Sequence, residues 1–115
     1  MVIHCNHAKQ LNPQLLNVFQ SISQTNTLLL NQSVMLKGIN DNAVILSELS
    51  HKLFDFGVLP YYLNQLDKAK GTHHFRVPNS TAKTIHKNLL QLLPGYLVPK
   101  LVKEISGKLN KSPLN

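Results

Sequence analysis

Cysteine is nearly absent from this sequence: Cys5 is the only one in 115 residues. A single thiol forms no disulfide within the chain and cannot supply the sulfur ligands of an iron–sulfur cluster or a cysteine-rich metal site. The composition suits a reducing compartment, so we expect a cytoplasmic protein. His4 and His7 have no acidic or cysteine partner nearby. A metal site on them is therefore a weaker expectation than hydrogen bonding to a polar ligand or to a strand end.

Long apolar runs and acidic residues are also scarce. No apolar run approaches the roughly 18–20 residues that a membrane helix needs, and the N-terminus lacks the pattern of a signal peptide. Lys and Arg total 12 against 5 Asp and Glu, a net charge of +7. Such an excess favours an anionic partner, for example nucleic acid, anionic lipid or a phosphorylated ligand. The charges are spread without a dense block, so an ordinary basic protein is the simpler explanation.

Sequence motifs for the common reactions are missing as well. We find no Walker loop, GxGxxG, nucleophile elbow or zinc signature. What is present is a regular alternation of apolar patterns, which predicts strands at 2–5, 27–36, 58–63 and 96–105 and helices at 13–24, 42–56 and 81–93. Asn12 is expected to cap the first helix, Asp41 or Asn40 the second and Ser80 the third. Pro99 predicts an edge position or a bulge in the last strand.

The order β-α-β-α-β-α-β predicts an α/β fold of parallel β-α repeats with right-handed crossovers. A complete (β/α)₈ barrel takes about 250 residues. The chain is therefore either an open doubly wound sheet or part of a barrel whose other strands lie elsewhere. Met1 directly precedes a predicted strand, as in a piece of a longer protein. Unpaired strand edges favour association between chains, so we expect a homo-oligomer.

Polar residues follow the predicted strands, and in parallel α/β folds ligands bind at the carboxyl ends of strands. The clusters are His4-Asn6-His7, Asn31-Gln32, Tyr61–Asp67 and the residues from Glu104 onward. The amides of Asn31 and Gln32 need hydrogen-bond partners, which are either neighbouring backbone or a ligand. Because strand side chains alternate, Tyr61 and Tyr62 are expected to point to opposite faces, both in core packing.

A long loop is predicted at 64–78, and long loops in compact domains often have a function. In it Asp67 is surrounded by basic residues, which alone indicates a solvent-exposed salt bridge. His73, His74 and Arg76 form a cluster that suits either phosphate or solvent. The tail that follows Ile105 could fold back over the same edge, and its Lys111 could form a Schiff base with a carbonyl cofactor. A tail lysine without that role is the commoner case.

Five segments resemble the lysine 2,3-aminomutase family. They are HxNH at 4–7, LLNQSVMLKGINDN at 29–42, GVLPYYLNQLDKAKGTHHFR at 57–76, GYLVPKLVKEI at 95–105 and KSPL at 111–114. The resemblance keeps its spacing over essentially all 115 residues. GVLPYYL, LDK and GYLVPKL are similar to the bacterial branch that makes (R)-β-lysine for modification of elongation factor P.

The resemblance implies an isomerase of the radical S-adenosylmethionine (SAM) class, which converts (S)-α-lysine to (R)-β-lysine with a 4Fe-4S cluster, SAM and pyridoxal phosphate. It implies that residues 1–105 are the C-terminal portion of a partial (β/α) TIM-like barrel and that 106–115 are a tail. By the same resemblance Lys111 holds pyridoxal phosphate as an aldimine, and Asp67 and Glu104 bind the ε-ammonium of the lysine substrate. His4 and Gln32 line the SAM site.

Two departures from the family pattern bear on these expectations. The three-cysteine motif CxxxCxxC is missing, so the cluster ligands are expected outside this chain, which should hold no metal and be inactive alone. Asn64 stands where the lysine-degrading branch has a tyrosine near the cofactors. The motif neighbours Asn6 and His7 carry no firm role. The alternative function is a non-catalytic basic module that binds nucleic acid or another anionic partner.

Overall fold

Strands and helices alternate along the chain, as predicted. The computed structural model describes residues 1–66, 74–103 and 112–113, the last pair for the backbone only. The strands are β1 (Val2–Ile3), β2 (Leu29–Met35), β3 (Val58–Gln65), β4 (Lys100–Lys103) and β5 (Ser112–Pro113), and the helices are α1 (Pro13–Ser23), α2 (Ala43–Asp55) and α3 (Asn79–Leu92). Short 3₁₀ turns lie at Ala8–Gln10 and Gly95–Leu97.

The strands form one sheet in the order β1-β2-β3-β4-β5. The first four are parallel, and β5 is antiparallel to β4. The predicted α/β fold of parallel β-α repeats is therefore confirmed. Of the predicted tail the structure describes only Ser112–Pro113, which pairs with β4.

All three helices pack on the same face of the sheet. Leu29 of β2 belongs to an apolar cluster with Phe19 of α1 and Leu53 of α2. Met35, six residues along β2 and therefore on the same side, packs in a second cluster with Leu89 of α3. A doubly wound sheet carries helices on both faces. The described helices lie on one face and the strands are in sequential order, so this sheet does not have the doubly wound arrangement.

Asparagine caps begin the first two helices. The Asn12 side chain accepts a hydrogen bond from the Leu15 amide at 2.9 Å, as predicted. The second helix is capped by Asn42, whose Oδ1 accepts from the Val44 amide at 2.8 Å. The predicted caps Asp41 and Asn40 are wrong, because the first turn of α2 starts only after Asn42.

The beginnings of α3 and β4 also differ from the predictions. Ser80 does not cap α3; the cap position is Pro78, and no side chain hydrogen-bonds there. The last strand begins at Lys100, and the predicted start at 96 is wrong because residues 95–97 form a 3₁₀ turn. Pro99 therefore lies just before β4, neither in an edge strand nor at a bulge. Its carbonyl accepts a hydrogen bond from the buried His86 Nε2 at 2.8 Å.

The bulge of this sheet is in β3 instead. Asn31 of β2 pairs with Pro60, but the next residue, Gln32, pairs with Tyr62. Tyr61 is thus one extra residue in β3, with no partner of its own in β2.

This extra residue overturns the predicted orientation of the two tyrosines. Their ring centroids are 4.5 Å apart, which two rings on opposite faces could not reach. Tyr61 is 47% exposed and is not in the core. The bulge also changes the alternation, so Val58 and Leu63 both point towards the helices although five positions separate them.

Candidate functional site

The face of the sheet opposite the helices carries the candidate site. We call it the open face, and its residues alternate with the helix-facing ones. They are Leu30, Gln32 and Val34 of β2, Tyr62 and Asn64 of β3, and Val102 of β4. Among the residues that the structure describes, no helix covers this face. Its polar members, Gln32, Tyr62 and Asn64, therefore lie on the side of the sheet that no described helix covers.

The register brings His4 and Gln32 together on the open face. Ile3 pairs with Asn31 in the last row of β1, and His4 and Gln32 are the residues that follow this pair in sequence. Ile3 packs under the helices, and His4 therefore turns to the open side. His4 is exposed and Gln32 is half-buried. Neither side chain makes a hydrogen bond within the described ranges.

Asn31, predicted together with Gln32, has a structural role. It is buried on the helix side of β2. Its Oδ1 accepts from the Cys5 amide at 2.9 Å, and its Nδ2 donates to the Cys5 carbonyl at 3.1 Å. Both ends of the amide are thus occupied by the strand end of β1. Of the two neighbouring amides, only Gln32 is available to a ligand.

Asn6 and His7 are also used locally. The Asn6 Oδ1 accepts from the Val34 amide at 2.9 Å. His7 caps the short 3₁₀ turn, and its Nδ1 accepts from the Lys9 amide at 3.1 Å. No group of three or more His, Cys, Asp or Glu is close enough to hold a metal ion in the described part of the chain.

Asn40 is a structural residue that the sequence reasoning assigned wrongly. It is fully buried. Its Nδ2 donates to the carbonyls of Asn6 and Val34, both at 2.8 Å, and its Oδ1 accepts from the Leu36 amide at 2.6 Å. Asn40 therefore joins the segment that follows β1 to the carboxyl end of β2.

The other predicted site residues can be related to the fold only through their described neighbours in sequence. Asp67, Glu104 and Lys111 lie outside the described residues. Gln65 pairs with Lys103, and Lys103 pairs with Ser112. In sequence these three paired residues are two positions before Asp67, one before Glu104 and one after Lys111. The three described residues next to the candidates in sequence therefore lie in one row across β3, β4 and β5.

The predicted loop at 64–78 begins two residues too early, because Asn64 and Gln65 still belong to β3. Both are buried amides. Asn64 Nδ2 donates to the Ser33 carbonyl at 3.0 Å, and Gln65 Nε2 donates to the Val77 carbonyl. The Asn64 Oδ1 and the Gln65 Oε1 have no hydrogen-bond partner among the described residues. The sequence reasoning noted Asn64 only as a departure from the family, and not as a candidate ligand.

The basic cluster at the end of the loop is partly structural. Arg76 donates from Nη2 to the Asn79 Oδ1 at 2.7 Å, at the first residue of α3. His73 lies outside the described residues. A phosphate site in this cluster stays a prediction.

Cys5 lies in the apolar layer on the helix side, next to a cavity of about 230 Å³ that Ile3, Leu11 and Phe19 help to line. Burial raises the pKa of its thiol above 9.0, although the His7 backbone and the Lys52 charge act in the opposite direction. The thiol is thus protonated at neutral pH and suited to packing, not to ligation or nucleophilic chemistry.

Sequence comparison gives the same family as the motifs. The L-lysine 2,3-aminomutase of Haemophilus influenzae is 49% identical over 112 residues, which are 97% of this chain and 33% of the relative. That of Buchnera aphidicola is 50% identical over 115 residues, 100% of this chain and 34% of the relative. The chain is homologous to the C-terminal third of the lysine 2,3-aminomutases. No protein-family model matches it.

A solved structure agrees with the fold of this lysine 2,3-aminomutase homologue. It is the crystal structure of a radical SAM methyltransferase from Sphaerobacter thermophilus, with a TM-score of 0.57 and 16% sequence identity. The match covers 89% of this chain and 33% of that structure. At this identity the likeness supports the fold alone.

The homologue thus spans about a third of the length of the curated lysine 2,3-aminomutases that it matches. In the ranges that the structure describes, no helix is long and apolar enough to cross a membrane.

Proposed function

We propose that this chain is the C-terminal third of a radical SAM L-lysine 2,3-aminomutase, which converts (S)-α-lysine to (R)-β-lysine. The observation that carries the proposal is the row of paired residues Gln65, Lys103 and Ser112. In sequence this row adjoins the three residues that the family resemblance assigns to substrate and cofactor, Asp67, Glu104 and Lys111. The similarity to the curated aminomutases supports the same activity.

In this proposal Asp67 and Glu104 bind the ε-ammonium of the substrate. An ammonium group removed from water needs opposite charge and hydrogen-bond acceptors, and two carboxylates supply both. Their points of attachment lie on neighbouring strands, since Gln65 and Lys103 are paired. Two acids that converge on one ammonium select a substrate with a terminal positive charge.

Lys111 is the residue that would hold pyridoxal phosphate through its amine. Ser112, which follows it in sequence, pairs with Lys103. This pairing attaches Ser112 and Pro113 to β4, the strand that ends one residue before Glu104. The bound cofactor would supply the conjugated system through which the amino group migrates.

SAM is assigned to the open face around His4 and Gln32. Their side chains make no hydrogen bond within the described ranges, so they are available to a polar cofactor. Buried or half-buried polar groups without partners are uncommon in native proteins, which fits a face that receives a ligand. His4 and Gln32 would bind and orient the cofactor.

The iron–sulfur cluster does not fit the described residues, because they contain no suitable group of three ligands and the chain has one cysteine. We therefore place the cluster ligands in the remaining two thirds of the enzyme. The open face and the free edge of β1 would complete a partial barrel with that part. The 115 residues alone would be inactive.

The family resemblance extends the proposal to the use of the product. The segments GVLPYYL and GYLVPKL are similar to the branch that supplies (R)-β-lysine for elongation factor P. We propose that role for the complete enzyme, with lysine as substrate and a homo-oligomer as its state.

A hybrid protein tests the proposed activity. The chain replaces the matching C-terminal third of the Haemophilus influenzae relative, and the reconstituted hybrid is incubated with SAM, pyridoxal phosphate and L-lysine under reducing, anaerobic conditions. We expect β-lysine by mass spectrometry. Lys111→Ala and Asp67→Asn should each lower the rate by at least about a hundredfold, whereas Lys83→Ala on the exposed surface of α3 should leave it unchanged.

The second part of the test uses the 115-residue chain alone in the same assay. It should form no β-lysine under the same conditions. A well-folded hybrid that binds its cluster and still makes no β-lysine would refute the proposed activity, and β-lysine formed by the chain alone would refute the claim that it is inactive.

A further inference from the structure

Asn64 has a hydrogen-bond acceptor on the open face that nothing described in the chain uses. The residue is 6% exposed. Its Nδ2 donates to the Ser33 carbonyl at 3.0 Å. Because a carbonyl can only accept, this contact also identifies which end of the amide is Nδ2. The Oδ1 is buried and has no partner among the described residues.

An unpaired buried acceptor is costly. Leaving such an oxygen without a donor costs on the order of 1–3 kcal/mol. The neighbours level with Asn64 are Val34 on β2 and Val102 on β4, so an apolar side chain would suit the position. The asparagine is therefore best explained by a donor that arrives with a ligand.

The position of Asn64 along β3 indicates which ligands could supply this hydrogen-bond donor. Asn64 lies two residues beyond Tyr62, which pairs with Gln32, so its row is about 6–7 Å closer to the carboxyl edge. Val102, in the same row, precedes Glu104 by two residues. Asn64 thus lies between the row of Gln32, which is assigned to SAM, and the row of Lys103, which precedes the proposed substrate acid Glu104.

We infer that Asn64 is a ligand-binding residue, whose Oδ1 accepts a hydrogen bond from an N–H or O–H group of the bound substrate or cofactor. The inference rests on the proposed function. The amines of lysine and the hydroxyl or amino groups of the adenosyl part of SAM are the two sources of that chemistry. Gln65 has a similar unpaired Oε1, but its amide is bonded on the helix side to Val77, away from the open face.

Equilibrium binding distinguishes the two sources. Asn64→Leu and Asn64→Ala are made in the hybrid protein, and the dissociation constants of L-lysine and of SAM are measured separately by calorimetry. We expect one of the two ligands to bind about tenfold or more weakly, as for the loss of a hydrogen bond to a buried group, and the other to be little changed. The weakened ligand is the one that carries the donor.

Asn31→Leu is the matched control. Asn31 is a buried amide on the neighbouring strand with both ends occupied by Cys5, and it faces the helices. Its substitution should lower the melting temperature without changing either dissociation constant. Asn64→Leu should lower the melting temperature less, because it removes an unpaired acceptor together with one hydrogen bond.

Three results would overturn the inference. The first is unchanged affinity for both ligands in folded Asn64 variants. The second is an equal loss of affinity in Asn31→Leu, because a general structural effect would then explain both losses. Failure of the unmodified hybrid to bind either ligand would also contradict it. If the unmodified hybrid makes β-lysine and the Asn64 variants bind as it does, only Asn64 is excluded and the proposed activity stands.

Discussion

Asparagine side chains make many of the described side-chain hydrogen bonds, and these bonds have different structural roles. Asn12 and Asn42 cap helices, whereas Asn31 and Asn40 join strand ends through buried hydrogen bonds. Asn64 has one end of its amide bonded and the other unpaired. The surroundings of each amide, and not its type, decide whether it stabilises a helix, a strand end or a ligand.

Asn42→Ala tests the cap of α2. The substitution removes an acceptor for two amides of the first helical turn, those of Val44 and Ile45. We expect the free energy of unfolding in urea to fall by about 1 kcal/mol. Ser80→Ala is the matched control, because Ser80 was the predicted cap of α3 and makes no capping bond. A loss as large for Ser80→Ala would contradict the assignment.

Cys5 gives a prediction for alkaline pH. Burial raises the pKa of its thiol in the folded chain above 9.0. Between the unfolded and the folded pKa the folded state therefore binds more protons than the unfolded state, and the free energy of unfolding falls as pH rises. Urea unfolding between pH 8 and pH 10, an interval chosen to bracket roughly that range, should show a steeper decrease for the natural chain than for Cys5→Ala. Parallel curves would refute the effect.

Individual residues also show which contacts a sequence can predict. Asn12 was recognised as a cap because its signal is local, an asparagine followed at once by proline. Asn40 was wrongly assigned as a cap and the hydrogen bond of Asn64 was not predicted, because the partners of both are distant in sequence. Asn40 donates to Asn6, 34 positions away, and Asn64 donates to Ser33, 31 positions away. No local pattern encodes such a contact.

At the scale of elements, the bulge in β3 determines which side chains reach the open face. If Tyr61 were paired with β2 as in a regular strand, the alternation from Val58 would place Leu63 on the open side and Asn64 against the helices. With the bulge, Leu63 is fully buried under the helices, and Asn64 faces the candidate site. Periodicity predicted the strands and helices themselves, but a bulge is a mismatch with a partner strand and is invisible in one sequence.

Two single-residue deletions test the bulge. Deletion of Tyr61 removes the unpaired residue and leaves Tyr62 opposite Gln32, so we expect a loss of less than about 1 kcal/mol in the free energy of unfolding. Deletion of Leu63 moves Asn64 into an apolar core position and should cost about 3 kcal/mol or more. Urea unfolding followed by circular dichroism gives both values. Equal losses would show that the extra residue has no such role.

At the scale of the molecule, one face of the sheet and the outer edge of β1 are left uncovered by the described residues. The sequence left a doubly wound sheet and a barrel segment as alternatives, because the order of strands in a sheet depends on long-range pairing. The observed order is sequential, and right-handed crossovers between sequential parallel strands place every helix on the same side. In the proposed function, the open face and the outer edge of β1 are the surfaces that the rest of the enzyme would cover.

This geometry predicts that the isolated chain associates through β1. Val2 lies in this edge strand, is 46% exposed, and pairs on its inner side with Leu30. A lysine in an edge strand opposes pairing with another strand, so Val2→Lys should shift the mass in analytical ultracentrifugation towards the 12.9 kDa monomer. Leu90→Lys makes the same change of charge at a similarly exposed position of α3, 52%, and should not. A natural chain that is monomeric at high concentration, or equal effects of the two lysines, would exclude β1 as the contact.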